Sequence, residues 1–171
     1  MENSSGARKK LAEQVDVLQA ATRVLAGIAL RSIDVLDGAV TLPQFRLLAV
    51  LAERAPSRSS DAARALGLDA SSVTRLADRL VAAGYVARGS EPGNRSVVTL
   101  ELTPDGQKLV SQVEDWRQAE LTRIMGKLTA RDRGRMTTML RQLMEAAGEG
   151  YGVAFDPACR CERPARVQPA A

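Results

Sequence analysis

The sequence contains no histidine, which removes the commonest general base and the imidazole ligands of many metal sites. Aromatic residues make up only 3% of its 171 residues. Leucine, valine, isoleucine, methionine and alanine must therefore build the core, and in long periodic runs they favour packed helices. We find no paired carboxylates suited to catalysis, no phosphate loop and no nucleophile beside a base. The sequence therefore predicts a mainly helical protein that is not an enzyme and uses no cofactor or metal.

Cysteine is scarce as well. The two cysteines, Cys159 and Cys161, have one residue between them. This spacing is poor for a structural disulfide, and two thiolates supply only half of a zinc site. A zinc or redox role would need a second chain or an unusual geometry. We interpret the pair as incidental thiols in a mobile tail, residues 154–171, where glycine, proline, alanine and arginine replace the helical periodicity.

Long hydrophobic runs are also missing. Uncharged runs such as residues 24–30 fall far below the roughly 20 residues of a membrane span. The N-terminal residues lack the apolar core of a signal peptide. We therefore expect a cytoplasmic protein without a membrane partner. The 24 lysines and arginines exceed the 20 acidic residues and give a net charge of +4, which suits a polyanionic partner but is common in other proteins too.

Both ends of the chain are predicted to form long helices. Within residues 8–38, apolar residues recur at alternating spacings of four and three. This stripe consists of Leu11, Val15, Leu18, Thr22, Leu25 and Ala29. Within residues 104–148, capping signals at Thr103 and Thr129 precede two further helices. The stripes exceed what a small domain can cover, so we expect another long helix or a second copy of the chain to pack on them; ordinary core helices are the alternative.

The middle block, residues 41–103, contains short helices and a tight turn. A capping-box pattern at Thr41 starts one helix, and Ser59 is predicted to cap the next. Gly67 permits the positive φ of a tight turn, and Asp69 can cap the helix that follows. The supporting residues are the small Ala63 at the helix crossing, Leu68 as a plug between the helices, and the inward-facing Val73, Leu76, Ala77 and Leu80. This pattern predicts a helix-turn-helix.

The second helix of this motif leaves a polar face exposed. Its residues are Ala70, Ser71, Ser72, Thr74, Arg75, Asp78 and Arg79. A helix that enters the major groove of DNA uses short hydroxyls where backbones come close and an arginine that can form two hydrogen bonds with guanine. Serine and threonine at a helix start are also ordinary capping residues. We favour DNA as the partner because the neighbouring elements match a DNA-binding module as well.

Those elements are two short strands, predicted at residues 84–88 and 97–102 with residues 89–94 as the loop. A two-stranded hairpin after a helix-turn-helix is a winged helix. The order of elements closely resembles the multiple antibiotic resistance regulator (MarR) family of bacterial transcription factors, from TLPQFRLLAVL through DAARALGLDASSVTRLADRLVAAGYVAR to VTLELTPDG. The expected fold is therefore mainly α with a small β-hairpin wing, a winged helix-turn-helix core flanked by long N- and C-terminal dimerisation helices.

The resemblance implies a homodimer that binds a palindromic operator in double-stranded DNA. It also implies a repressor that is released by a small aromatic or phenolic ligand. Release by cysteine oxidation is disfavoured because residues 1–40 contain no cysteine. The predicted DNA-binding residues are Ser59, Ser71, Ser72, Thr74, Arg75, Arg79, Arg88 and Arg95. The predicted effector pocket includes Gln44, Phe45 and Arg46.

The tip of the predicted wing departs from the family pattern, which is an acid, any residue and an arginine. Those positions hold Asn94, Arg95 and Ser96 here. The arginine is therefore displaced by one residue and lacks its acidic partner, so contact between Arg95 and a minor groove is a hypothesis. The alternative function is a winged helix used only for protein contacts, which predicts weak DNA association with no preference for sequence.

Overall fold

The computed structural model describes the backbone of residues 2–54, 56–91 and 94–148, and the side chains of residues 6–54, 56–90 and 97–148. The predicted tail with its two cysteines lies outside these ranges. The elements are α1 (Glu2–Arg31), a 3-10 turn (Asp34–Leu36), α2 (Leu42–Arg54), β1 (Ser57–Arg58), α3 (Ser59–Leu66), α4 (Ala70–Ala82), β2 (Val86–Glu91), β3 (Asn94–Leu102), α5 (Pro104–Met125) and α6 (Ala130–Ala147). Among the described helices, none is both long and apolar enough to cross a membrane.

Side-chain caps start three of these helices as the sequence predicts. At α5 the hydroxyl of Thr103 accepts the N–H of Gly106 at 3.1 Å. Thr129 at α6 accepts the N–H of Asp132 at 3.2 Å. At α2 the amide oxygen of Gln44 accepts the backbone N–H of Thr41 at 2.8 Å, and the Thr41 hydroxyl donates to the same oxygen at 2.9 Å. These caps satisfy N–H groups that have no partner within the helix.

The predicted boundaries of two helices are wrong. The long N-terminal helix begins at Glu2 instead of residue 8. It ends at Arg31 instead of continuing to residue 38, because the chain turns through the 3-10 segment and a left-handed Asp37 with φ of 47°. Ser59 does not cap α3, which begins at Ser59 itself and has no side-chain cap hydrogen bond. The physical reason is that the preceding residues pair with β3 as the short strand β1. The chain therefore enters α3 directly from a strand.

The sheet has three antiparallel strands in the order β1, β3, β2. The predicted hairpin is confirmed, but its strands continue into the predicted loop as far as Glu91 and from Asn94. Gly89 pairs with Thr99 in this ladder, and a Cβ at Gly89 would lie 2.9 Å from the Thr99 hydroxyl oxygen. Glycine is therefore needed there for close strand approach and not for a turn.

The core joins α2, α3, α4, the sheet and the first half of α5. Its buried apolar residues are Leu36, Val40, Phe45, Leu47, Leu48, Val50, Leu51, Ala62, Ala63, Leu66, Val73, Ala77, Leu80, Val86, Leu100, Val110 and Val113. Helix α6 contributes no buried residue. These packed elements form a winged-helix lobe that holds α4 in place, with one side of α4 in the core.

Candidate DNA-binding surface

The turn between α3 and α4 has the geometry of a helix-turn-helix. Gly67 has a φ of 65°, which glycine adopts without the steric cost of a side chain. Ala63 is buried where the helices meet, and Val73 is buried on α4. The predicted plug is wrong, because Leu68 is 38% exposed. Small side chains already fill the close crossing, so the turn leaves Leu68 at the surface.

The start of α4 is organised by Asp69, as predicted. Its Oδ1 accepts the backbone N–H of Ser72 at 2.8 Å and the hydroxyl of Ser71 at 2.5 Å. Its Oδ2 accepts the hydroxyl of Ser72 at 2.6 Å. Hydrogen bonds from Ser71 and Ser72 hold the pKa of Asp69 well below its usual range. The carboxylate therefore remains charged, and both serine hydroxyls are already oriented before any partner binds.

The next predicted residues lie exposed along the same helix. Nε of Arg75 donates to the carbonyl of Ser71 at 3.4 Å, and its Nη2 donates to the Ser71 hydroxyl at 3.2 Å. The hydroxyl of Thr74 donates to the carbonyl of Ala70 at 2.9 Å. Arg79 is exposed one turn further along. Arg75 therefore lies back along α4 towards its N-terminus, next to the serines.

The wing contacts α4 through an ion pair that the sequence did not predict. Nη2 of Arg88, on β2, donates to Oδ1 of Asp78, on α4. Arg88 was predicted only as a DNA-binding residue. The available signal was Asp78 itself, an acid among the basic and hydroxyl residues of the exposed face of α4.

The remaining predicted DNA-binding residues are on other elements. Ser59 is half-buried at the start of α3. Arg95 is on β3, and its side chain lies outside the described part of the chain. The structure thus brings Ser71, Ser72, Thr74, Arg75 and Arg79 together on α4 and joins Arg88 to the same helix. A helix start with hydroxyls, arginines and oriented N–H groups can contact phosphates and base edges.

The three predicted effector residues make separate contacts. The amide oxygen of Gln44 belongs to the α2 cap. Phe45 is buried, and the guanidinium carbon of Arg117 lies 5.4 Å from the centre of its ring. Nη2 of Arg46 donates to the carbonyl of Leu66 at 3.2 Å, at the end of α3. Arg46 is therefore engaged with the protein backbone.

Arg117 on α5 is a second residue that the sequence did not single out. Its Nε donates to the hydroxyl of the buried Ser32 at 2.7 Å, and its Nη2 donates to the carbonyl of Ala29 at 3.4 Å. Burial lowers the pKa of this half-buried guanidinium. Together with Phe45, these contacts join α5, α2 and the end of α1. The only local signal was a cation beside the apolar stripe of α5.

The two terminal helices expose apolar side chains. On α1 these are Leu11, Val15, Val17, Leu18, Val24, Leu25 and Leu30. On α6 they are Met136, Met139, Leu140, Leu143 and Met144. Exposed apolar surface of this extent marks an interaction site in soluble proteins.

Comparison with known proteins identifies the family. The MarR family model matches residues 40–95, from just before α2 into β3. The solved structure of RV1404 from Mycobacterium tuberculosis is 34% identical, covers 79% of this chain and 92% of that chain, and superposes with a TM-score of 0.74. The HTH-type transcriptional repressor NicR of Pseudomonas putida is 27% identical over 64% of this chain and 70% of its own length.

A MarR family protein from Bacillus stearothermophilus shares the fold, with a TM-score of 0.71 at 24% identity. The match covers 82% of this chain and 96% of the Bacillus stearothermophilus protein. The match therefore extends over the terminal helices as well as the winged-helix lobe. The helix-turn-helix, the wing and these relatives lead to one assignment: the chain belongs to the MarR family of DNA-binding transcriptional regulators.

Proposed function

We propose that this protein is a homodimeric repressor that binds a palindromic operator and is released by a small aromatic or phenolic ligand. The observation that carries the proposal is the exposed polar start of α4. Its hydroxyls and arginines stand on a helix whose opposite side is fixed in the core by Val73, Ala77 and Leu80. A rigidly held helix can present the same side chains to the same base pairs in every complex.

The wing supplies a second set of DNA contacts in this proposal. The ion pair between Arg88 and Asp78 brings β2 beside α4, so both elements reach DNA together in this proposal. Arg95, near the tip, contacts the minor groove or the adjacent phosphates. Loss of one such cation lowers the slope of binding against salt by roughly one unit per wing. If Arg95 enters the minor groove, its loss is more harmful on A·T-rich flanks than on G·C-rich flanks.

The exposed apolar faces of α1 and α6 support the homodimer. In proteins, most of the stability of a helix comes from packing of its apolar face. A second copy offers the same two faces and can bury both sets under twofold symmetry. Such a dimer would place two copies of α4 on half-sites about 10 bp apart, or a multiple of that spacing.

The ligand is supported by the meeting point of α1, α2 and α5. The guanidinium carbon of Arg117 lies 5.4 Å from the centre of the Phe45 ring there, so a cation and an aromatic ring are neighbours. These are the groups that bind a phenolate or an aromatic carboxylate. Repression itself is supported by NicR, a relative that is named a repressor.

The test is binding of the full-length protein to the intergenic DNA beside its own coding region. Fluorescence anisotropy should show at least a roughly 1,000-fold preference over a scrambled duplex of equal length. Analytical ultracentrifugation at micromolar concentration should give about twice the chain mass of 18.3 kDa. Adding a panel of hydroxybenzoates should then reduce the anisotropy.

The outcomes separate the parts of the proposal. Equal and weak binding to both duplexes would favour the protein-interaction alternative. A stable monomer would overturn the dimer and the palindrome together. Sequence-specific binding that no hydroxybenzoate reduces would overturn only the phenolic class of ligand.

A further inference from the structure

Arg75 is held by its neighbours before DNA arrives. We infer that Asp69 and Ser71 are positioning residues that direct Arg75 towards one base pair of the operator. The inference rests on the proposed function, because it takes α4 as the helix that contacts base edges. The contacts form a chain from the Asp69 carboxylate through the Ser71 hydroxyl to the Arg75 guanidinium.

These hydrogen bonds have a fixed donor-to-acceptor direction, because a serine hydroxyl carries only one proton. Nη2 of Arg75 donates to the Ser71 hydroxyl oxygen at 3.2 Å, so this oxygen acts as an acceptor on that side. The hydroxyl proton must then go to another acceptor, and Oδ1 of Asp69 lies 2.5 Å away. The carboxylate therefore orients the hydroxyl so that a lone pair faces the arginine.

Arg75 keeps donors for DNA while it is held in this way. A guanidinium has five N–H groups, and the bonds to the Ser71 carbonyl and hydroxyl use two of them. Both bonds tie Arg75 to the same residue, which restricts the rotamers of an exposed side chain. A side chain that is already ordered loses less conformational freedom when it binds.

The charge of Asp69 also disfavours binding to DNA in general, and this effect makes the role of Asp69 measurable. Its negative charge stands at the surface that faces the phosphates, where it opposes non-specific attraction. Hydrogen bonds from Ser71 and Ser72 also lower the pKa of this exposed carboxyl group. Removing the charge should therefore strengthen binding to random DNA and weaken the preference for the operator. Simple damage to the fold would weaken both.

Ser71 and Ser72 form a matched pair for the test. Each hydroxyl donates to Asp69, but Ser71 alone of the two contacts Arg75 in the contacts described here. The full-length protein is first used to select a preferred duplex from a randomised pool. Affinities are then measured for this duplex, for its single base-pair variants and for a random duplex. Arg75→Ala identifies the base pair that Arg75 contacts.

We expect Arg75→Ala to reduce the preference at its base pair by about tenfold or more. Ser71→Ala should reduce the preference at the same base pair several-fold, Ser72→Ala should reduce it less than Ser71→Ala does, and Ser71→Thr should retain it. Asp69→Asn keeps a side-chain oxygen for the α4 cap. Its neutral amide oxygen still accepts the Ser71 hydroxyl but more weakly than a carboxylate does, so the preference at that pair should fall by less than in Ser71→Ala, while binding to the random duplex becomes tighter.

Equal losses for Ser71→Ala and Ser72→Ala would overturn the inference. The inference would also be overturned if Arg75→Ala lost the preference at its base pair and Ser71→Ala kept that preference unchanged. If Arg75→Ala itself changes no preference, the proposed use of α4 fails at Arg75, and the inference falls with it. Because Asp69→Asn keeps the cap oxygen, an unchanged preference together with unchanged binding to the random duplex would make Asp69 a helix cap only and would remove it from the inference.

Discussion

The winged-helix lobe and the terminal helices use apolar residues in opposite ways. In the lobe, Leu47, Leu48 and Leu51 of α2 are fully buried. On α1 and α6, Leu18, Val24 and Met139 are 44%, 60% and 64% exposed. The lobe thus completes a core within one chain, whereas the terminal helices display an apolar surface that the described residues leave uncovered. If the proposed homodimer forms, the stability of the lobe should be independent of assembly and that of the terminal helices should not.

The largest expected effect is in the lobe. Leu47→Ala removes a fully buried side chain and should lower the free energy of unfolding by about 2–5 kcal/mol, because the cavity cannot be filled by its packed neighbours. The loss should be the same at low and high protein concentration. Urea denaturation across a hundredfold range of concentration measures this. A loss that disappears at high concentration would place Leu47 in the assembly and not in a self-contained core.

The second largest effect is expected on dimerisation, from a substitution on α1. Leu18→Glu puts a charge in the exposed apolar stripe and should raise the dissociation constant of the proposed homodimer by roughly 100-fold, because a charge would be buried without a partner. Sedimentation equilibrium measures the change, and binding to the palindromic duplex should weaken in parallel. Gln19→Glu adds the same charge at the next residue, outside the stripe, and serves as the control. Equal dissociation in both variants would assign the effect to net charge.

A smaller effect is expected where the two regions meet. Arg117 joins α5 to Ser32 and Ala29 at the end of α1, and to Phe45 in the lobe. Arg117→Met and Ser32→Ala should each cost about 1–2 kcal/mol of unfolding free energy. The double variant should cost less than the sum, because both substitutions remove the same hydrogen bond. A urea double-mutant cycle measures the coupling. Additive losses would show that this bond does not connect the regions.

The part of the fold that follows local rules was predictable. Gly67 at a tight turn, Ala63 at a helix crossing and Asp69 at a helix start each express a constraint within a few neighbouring residues. Strand β1 was missed because its two residues gain their structure from pairing with Thr99 and Leu100. The Arg117 contact to Ser32 joins residues 85 positions apart, and no local pattern encodes it.

The candidate site shows the same limit. The exposed face of α4 could be predicted from helical periodicity, which places Val73 and Ala77 inside and Arg75 outside. The bonds among Asp69, Ser71 and Arg75 depend on side-chain rotamers, which periodicity does not fix. The pairing of Arg88 with Asp78 depends on how the wing folds back on α4. Sequence therefore located the surface, and the structure assigned its internal contacts.

The smallest expected effect concerns this pairing. Both side chains of the Arg88 and Asp78 pair are about half exposed, so water and salt screen the attraction. Asp78→Asn and Arg88→Gln should each change the unfolding free energy by less than about 1 kcal/mol, and the coupling in a double-mutant cycle should fade in 1 M salt. Urea denaturation at low and high salt measures both quantities. A coupling that persists in 1 M salt would show that the wing and α4 are joined like the buried core, and the lobe would then be rigid up to its DNA-facing surface.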